Sequence, residues 1–195
     1  MIMVQQTDNN NYLTSLKAKK FSLYVFLVVS FMLFAAWSSG FIVYSAGGED
    51  KGLKTLLPNT FIYSTISIVL SSFCMHLAYA SAKIGNVVKQ RLWLGLTILL
   101  GCLFFFLQYS AWMELARNGV MFINNNASQS FIYVFVWAHQ AHILAGIIVL
   151  LNAFFKANNG NPLIKNRFRM ELATIFWHFL DILWIYIYVF LLLNQ

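Results

Sequence analysis

Seven side chains lie in or at the ends of apolar stretches, where their chemistry is out of place: His76, Gln108, His139, His142, Glu171, His178 and Asp181. An ionisable group inside a bilayer costs about 2.5–3.5 kcal/mol on insertion scales, so each needs a partner or a task. Glu171, His178 and Asp181 are spaced by seven and three residues, which puts them on one helical face. Thr174 and Tyr188 lie close to that stripe, and Trp177 and Trp184 flank it. His139 and His142 are three apart on another face, among Ala138, Ala141, Ala145 and Gly146. Such small residues let a neighbouring helix approach closely.

Several chemistries fit these types and spacings. The simplest is a satisfied network of interhelical hydrogen bonds, worth about 0.6 kcal/mol each on average yet able to fix which faces meet. Its members would be Gln108, His139, His142, His178 and Asp181. A proton relay along the polar stripe is a second reading. A non-haem metal held by His139, His142 and Asp181 would imitate a two-His, one-carboxylate site. Haem needs two axial residues facing across a gap. His139 and His142 on one face cannot both ligate one iron, and a His142–His178 pair is offset in depth. No nucleophilic triad, phosphate loop or Cys–His metal motif is present. His178 and Asp181 form a His–Asp pair with no serine or cysteine nucleophile to accompany it.

The elements that must hold these groups follow from composition. Of 195 residues, 60% are hydrophobic and 10% charged. That excludes a soluble globular domain, a disordered chain and a disulfide scaffold, and indicates an all-α integral membrane protein. Five segments are long enough to span: roughly 21–45, 59–82, 92–113, 130–155 and 171–193. None alternates like a barrel strand, and backbone groups in lipid must be satisfied within each helix. Residues 1–20 are polar and Asn-rich, unlike a signal peptide, and are expected to form a tail outside a five-helix domain over 21–195.

Charge orients the spans. Lys17, Lys19, Lys20, Lys83, Lys89, Arg91, Lys156, Lys165, Arg167 and Arg169 fall on one side, ten of thirteen basic residues. Lys51, Lys54 and Arg117 fall on the other. The positive-inside rule puts the N-terminus in the cytoplasm and Gln195 outside. The net charge of +7 reflects these loops rather than nucleic-acid binding. Pro58, Asn59 and Thr60 can start the second helix, and Gly160 and Pro162 mark a turn. The outer loop of about residues 114–129 holds Asn124, Asn125 and a chance-level sequon at Asn126–Ser128. Cys74 and Cys102 read as small core residues. Phe104–Phe106 read as packing or lipid contact, and no internal repeat suggests a transporter. Depth, at about 1.5 Å per residue, predicts a His142–Asp181 contact and matches Gln108 to His139. It sets His76 and Glu171 towards the cytoplasmic face.

Five collinear stretches over about residues 20–193 resemble subunit III of the haem–copper oxidases (cytochrome c and quinol oxidases), in the five-helix bacterial form. The string Trp177-His178-Phe179-Leu180-Asp181-Ile182-Leu183-Trp184 resembles the family's W-H-F-x-D-x-x-W signature. His139-Gln140-Ala141-His142 with Gly146 is similar to its H-x-x-H-x-x-x-G stretch, and Gly101–Gln108 with Trp112 to its G-x-x-F-x-x-x-Q-x-x-x-W helix. Pro58–Thr60 with Ser71-Ser72, and Ser30–Phe34, are similar to two earlier helices. Three positions depart. The usual acid of the first shared helix aligns with Phe31, which puts a role resting on that carboxylate in question. A usual Glu aligns with Ala111, and the Gly between the paired histidines is Gln140.

The resemblance implies an accessory subunit without redox centres, with haem and copper on partner subunits I and II of a proton-pumping terminal oxidase. It implies a shield that packs against subunit I, holds phospholipid and lengthens active life, with support of proton uptake also allowed. Membership of a larger respiratory supercomplex is open. The expected location is the bacterial inner membrane. His139, His142, Glu171, His178 and Asp181 become the structural and lipid-binding set. His76, Arg167, Arg169 and Glu171 are the candidates at headgroup level, where basic pockets attract anionic phosphates. Arg167 and Arg169 could equally serve topology alone. Two rivals stand beside this reading: an accessory subunit of a nitric oxide reductase, and a stand-alone b-type haem protein using His76, His139, His142 or His178.

Overall fold

A computed structural model describes residues 2–48, 57–123, 126–157 and 163–195, with side chains from Thr14 onward. All regular structure among them is helical: α1 Ile2–Ser45, α2 Thr60–Ile84, α3 Val87–Arg117, α4 Ala127–Lys156 and α5 Leu163–Leu193. Each is long and apolar enough to cross a membrane. Lys51, Lys54, Asn124, Asn125, Gly160 and Pro162 lie outside the described residues.

Every helix outruns the span read from the sequence, because hydropathy marks the hydrocarbon crossing and not the turns that continue into the headgroups. The change is largest at α1. Residues 1–20 were expected to be a separate tail, but α1 runs unbroken from Ile2. No Gly or Pro falls between Ile2 and Phe21. Once the apolar turns have nucleated a helix, nothing there stops its propagation. At α5 the extra turns carry Lys165, Arg167 and Arg169, so most of the basic fourth loop is helix.

The α2–α3 connection is two residues long, and its residue types explain it. Gly85 has φ 77° and ψ 12°, the left-handed geometry that ends a helix, and its N–H reaches Ala82 O. Asn86 then caps α3, its side chain accepting from Lys89 N at 3.1 Å. α2 therefore folds straight back on α3.

α5 is the centre of the bundle. It packs on α1, α2 and α4; α3 packs on α2 and α4, and α1 on α4. The core between the helices is aromatic: Phe34, Phe41, Phe61, Phe104, Phe135, Trp177 and Trp184 are all fully buried. Trp177 is a wedge. A Cβ on Gly101 of α3 would sit 2.9 Å from its ring, and one on Gly146 of α4 would sit 3.0 Å from it. Both glycines are needed for α5 to enter that closely.

Candidate functional site

The polar stripe of α5 meets α2, in antiparallel register. Trp177 donates its indole N–H to Ser71 Oγ at 2.7 Å, and Trp184 donates to Thr65 Oγ1 at 3.0 Å. Between them, His178 Nδ1 lies 2.6 Å from Ser72 Oγ and 3.7 Å from Asp181 Oδ2. Ser72, His178 and Asp181 are thus brought together, and the serine that seemed missing beside the His–Asp pair comes from another helix. They do not make a nucleophilic relay. Such a relay uses one ring nitrogen for the serine and the other for the carboxylate, whereas here both neighbours address Nδ1. Both oxygens of Asp181 are buried with no hydrogen-bond partner, while His178 is one-third exposed.

The expected His142–Asp181 contact does not form. His142 Nδ1 bonds to its own helix at Ala138 O, 2.7 Å away, and its ring sits 5.9 Å from Phe26 and 5.7 Å from Phe34 of α1. Counting residues fixes depth but not direction round the helix. Leu180 occupies the α4 side of α5, against Gly146, and this turns the next residue, Asp181, towards α2.

The match of Gln108 to His139 fails for the same reason. Gln108 Nε2 donates to Ser64 Oγ of α2 at 2.8 Å. His139 is fully buried, tilted over Trp184 at 5.2 Å and edge-on to Phe104 at 5.9 Å, with neither ring nitrogen partnered. His139 and His142 therefore address different helices, and the two-His, one-carboxylate set is not assembled. Among the described residues, no three His, Cys, Asp or Glu side chains come together as a metal site.

At the expected cytoplasmic end, Glu171 pairs with Lys20 of α1 at 2.5 Å. Arg169 is half-buried in a groove of about 350 Å³ with Lys19 and Lys165, floored by Leu16, Phe168 and Leu172. Arg167 is exposed beside Gly85 and Leu163, and His76 is exposed on α2, apart from both. The headgroup-level candidates are thus dispersed over separate surfaces.

Several contributors were not visible in the sequence. Gln90 and Asn166 form a buried reciprocal amide pair between α3 and α5, with bonds of 3.3 and 2.8 Å. Tyr186 donates to Ser38 Oγ at 2.8 Å, and Thr60 to Glu114 Oε2 at 3.0 Å. A hydroxyl on an apolar helix gives little signal, because it can return its bond to its own backbone, as Ser81 and Thr174 do.

The chain matches a family model described as Cytochrome c oxidase subunit III over residues 7–194. It is similar to the cytochrome bo(3) ubiquinol oxidase subunit 3 of Buchnera aphidicola, 34% identical over 138 residues, 69% of each chain. It is 25% identical over 178 residues to the cytochrome c oxidase subunit 3 of Synechocystis, covering 88% of this chain and 73% of that one. The cytochrome c oxidase subunit 3 of Bacillus sp. is also 25% identical, over 175 residues, 88% of this chain and 84% of its own.

Proposed function

Because this chain belongs to the cytochrome c oxidase subunit III family, a multi-pass membrane subunit of haem–copper oxidases, we propose that it is the non-catalytic accessory subunit III of a proton-pumping terminal oxidase. Its work is to pack against subunit I, with subunits I and II carrying haem and copper, and to keep subunit I active through many turnovers. The N-terminus is cytoplasmic, Gln195 is outside, and the membrane is the bacterial inner membrane.

The observation that carries this reading is the subunit III match over nearly the whole chain, 7–194. The geometry supports it: polar side chains bind one another across helix seams, as in Ser71–Trp177, Thr65–Trp184 and Gln90–Asn166, and the candidate ligands His139, His142 and Asp181 do not converge. Ser72, His178 and Asp181 with Gln108, His139 and His142 form the structural set in this proposal.

Phospholipid is the expected ligand. The groove holding Lys19, Lys165 and Arg169 favours an anionic headgroup, since three cations over an apolar floor match a phosphate above acyl chains. Arg167 and His76 would meet further headgroups, and Lys20–Glu171 would stand beside them. Support of proton uptake belongs to the same proposal, exerted from this cytoplasmic end.

The test is purification in mild detergent through a tag on this chain, with mass identification of partners and an optical spectrum. Haem- and copper-bearing partners are expected, with no Soret band on the chain once separated. Haem that stays with the isolated chain would overturn the reading. In the purified complex, Asp181→Asn is expected to shorten turnover lifetime more than it lowers initial rate. Equal loss of initial rate and haem content would point to a direct catalytic role.

A further inference from the structure

The outward surfaces of the bundle are not alike. α3 carries no Asp, Glu, His, Lys or Arg from Leu92 to Met113, and Leu92, Leu99, Leu103 and Phe106 are exposed along it. Acyl chains suit such a face without further help. The face shared by α2 and α5 differs at one point. His178 lies fifteen residues from either end of α5, Leu163–Leu193, so its Cα is about 22 Å from each. That is the middle of the span, yet the side chain is 32% exposed.

The exposed edge of that ring is polar. Nδ1 is turned inward, 2.6 Å from Ser72 Oγ and 3.7 Å from Asp181 Oδ2. Nε2 makes no hydrogen bond among the described residues and keeps accessible surface. It needs a partner in either tautomer. It is a donor where Ser72 gives its proton to Nδ1, and an acceptor where Nδ1 carries the hydrogen. The ring cannot withdraw, because Trp177 and Trp184 fasten α5 to Ser71 and Thr65 on either side of it.

Around Nε2 the surface is apolar. Val69 and Phe73 of α2 and Ile182 and Ile185 of α5 are all exposed. Val69 precedes Ser72 by three residues, and Ile182 and Ile185 follow His178 by four and seven, so they share its face. Acyl chains offer Nε2 nothing. Headgroups lie about 15 Å from the middle of a hydrocarbon layer about 30 Å thick, too far for a phosphate or ester to reach it. A neighbouring transmembrane helix meets both needs, with apolar side chains over the isoleucines and one hydrogen-bonding group at mid-depth. Imidazoles within a span face protein in this way, and polar side chains join helices there.

We propose that the α2–α5 face centred on His178 is the surface that docks on subunit I, receiving a membrane-spanning helix whose hydroxyl or amide side chain meets His178 Nε2. The outer face of α3 stays in lipid. This rests on the subunit III reading and adds to it which side of the chain is covered.

The experiment uses the assembled complex in its own membranes, with photoreactive benzoylphenylalanine at Phe73 or Ile182, and at Leu99 or Phe106 as controls. After irradiation the complex is purified through a tag on this chain. Phe73 and Ile182 should crosslink to subunit I about tenfold more than Leu99 and Phe106. Ile182→Trp, at an exposed position the fold tolerates, should lower the subunit I retained by the tag about tenfold. Leu99→Trp should leave it unchanged, since lipid gives way to a larger ring and a docked helix does not. His178→Leu should lower retention as far, and His178→Gln, which keeps a hydrogen-bonding group, should restore most of it. Where His178→Leu unfolds the chain, Ile182→Trp decides. Crosslinks to subunit I from α3, lipid adducts alone from Phe73 and Ile182, or unchanged retention by Ile182→Trp would each overturn this face and leave the subunit III reading standing. A tag that recovers no haem-bearing subunit with the unaltered chain would overturn both.

Discussion

α5 is held on its two flanks by different chemistry. Towards α2 the contact is a ladder of hydrogen bonds, Trp177–Ser71, His178–Ser72 and Trp184–Thr65, each between 2.6 and 3.0 Å. Towards α1 and α4 it is a stack of rings. Phe190 lies 5.4 Å from Phe41 and 5.6 Å from Phe135, and Phe34 packs on both Phe135 and His142. Two polar links, Lys20–Glu171 and Tyr186–Ser38, tie α1 to α5 on this flank. Lipid tails are as apolar as the side chains they replace, so burial alone does not drive helices together. The ring flank holds through packing, which is unselective about register. The polar flank contributes less energy per contact but admits one alignment.

Breaking the ring flank is expected to cost most. Phe34→Ala removes a fully buried ring that touches Trp37, Phe135 and His142. Large-to-small changes of this kind cost about 3–5 kcal/mol, most of it cavity. Thermal unfolding of the purified chain should show a clear drop in midpoint, and Phe34→Leu should recover most of it. A cost under about 1 kcal/mol would mean that α1 collapses onto the gap, and that its rings are lipid-like filler rather than a seam.

The polar flank should respond to a smaller cut. Ser71→Ala leaves the Trp177 N–H buried without an acceptor, at about 1–3 kcal/mol. Ser71→Thr keeps the hydroxyl and should restore stability. The two flanks differ further in what fails. Ser71→Ala should loosen the alignment of α5, read as new cysteine crosslinks between α2 and α5 one turn out of register, whereas Phe34→Ala should not. The same off-register crosslinks from both variants would erase the distinction.

The sequence made one half of this contrast readable. Spans were legible because apolar runs of spanning length have few alternatives, and Trp177, His178, Asp181 and Trp184 were legible because indole, imidazole and carboxylate are conspicuous on an apolar helix. Their partners were not. Ser64 and Thr65 return their hydroxyl protons to Phe61 O of their own helix, as a serine or threonine on any apolar helix can, so nothing marked these two, or Ser71 and Ser72, as acceptors for another helix. The two predicted polar pairs failed in one way. Depth along a helix is linear in residue number, but azimuth depends on how closely each neighbour approaches, and Gly101 and Gly146 set that by admitting Trp177. The helical start at Ile2 was hidden because polar composition reports solvent, not backbone conformation.

The smallest effect tests the contrast most narrowly. Lys20 and Glu171 are joined at 2.5 Å, yet their side chains are 36% and 31% exposed. Ion pairs this open to water contribute about 0–1 kcal/mol, and their attraction is screened by salt. Lys20→Gln should lower the unfolding midpoint slightly at low ionic strength. The difference should vanish near 1 M salt, where the screening length is about 3 Å. Phe34→Ala should keep its full cost there, since packing does not depend on salt. If Lys20→Gln instead costs more than Ser71→Ala and resists salt, the ring flank is latched by charge at its Lys20 end. The two flanks of α5 would then differ in where their polar contacts lie, and not in kind.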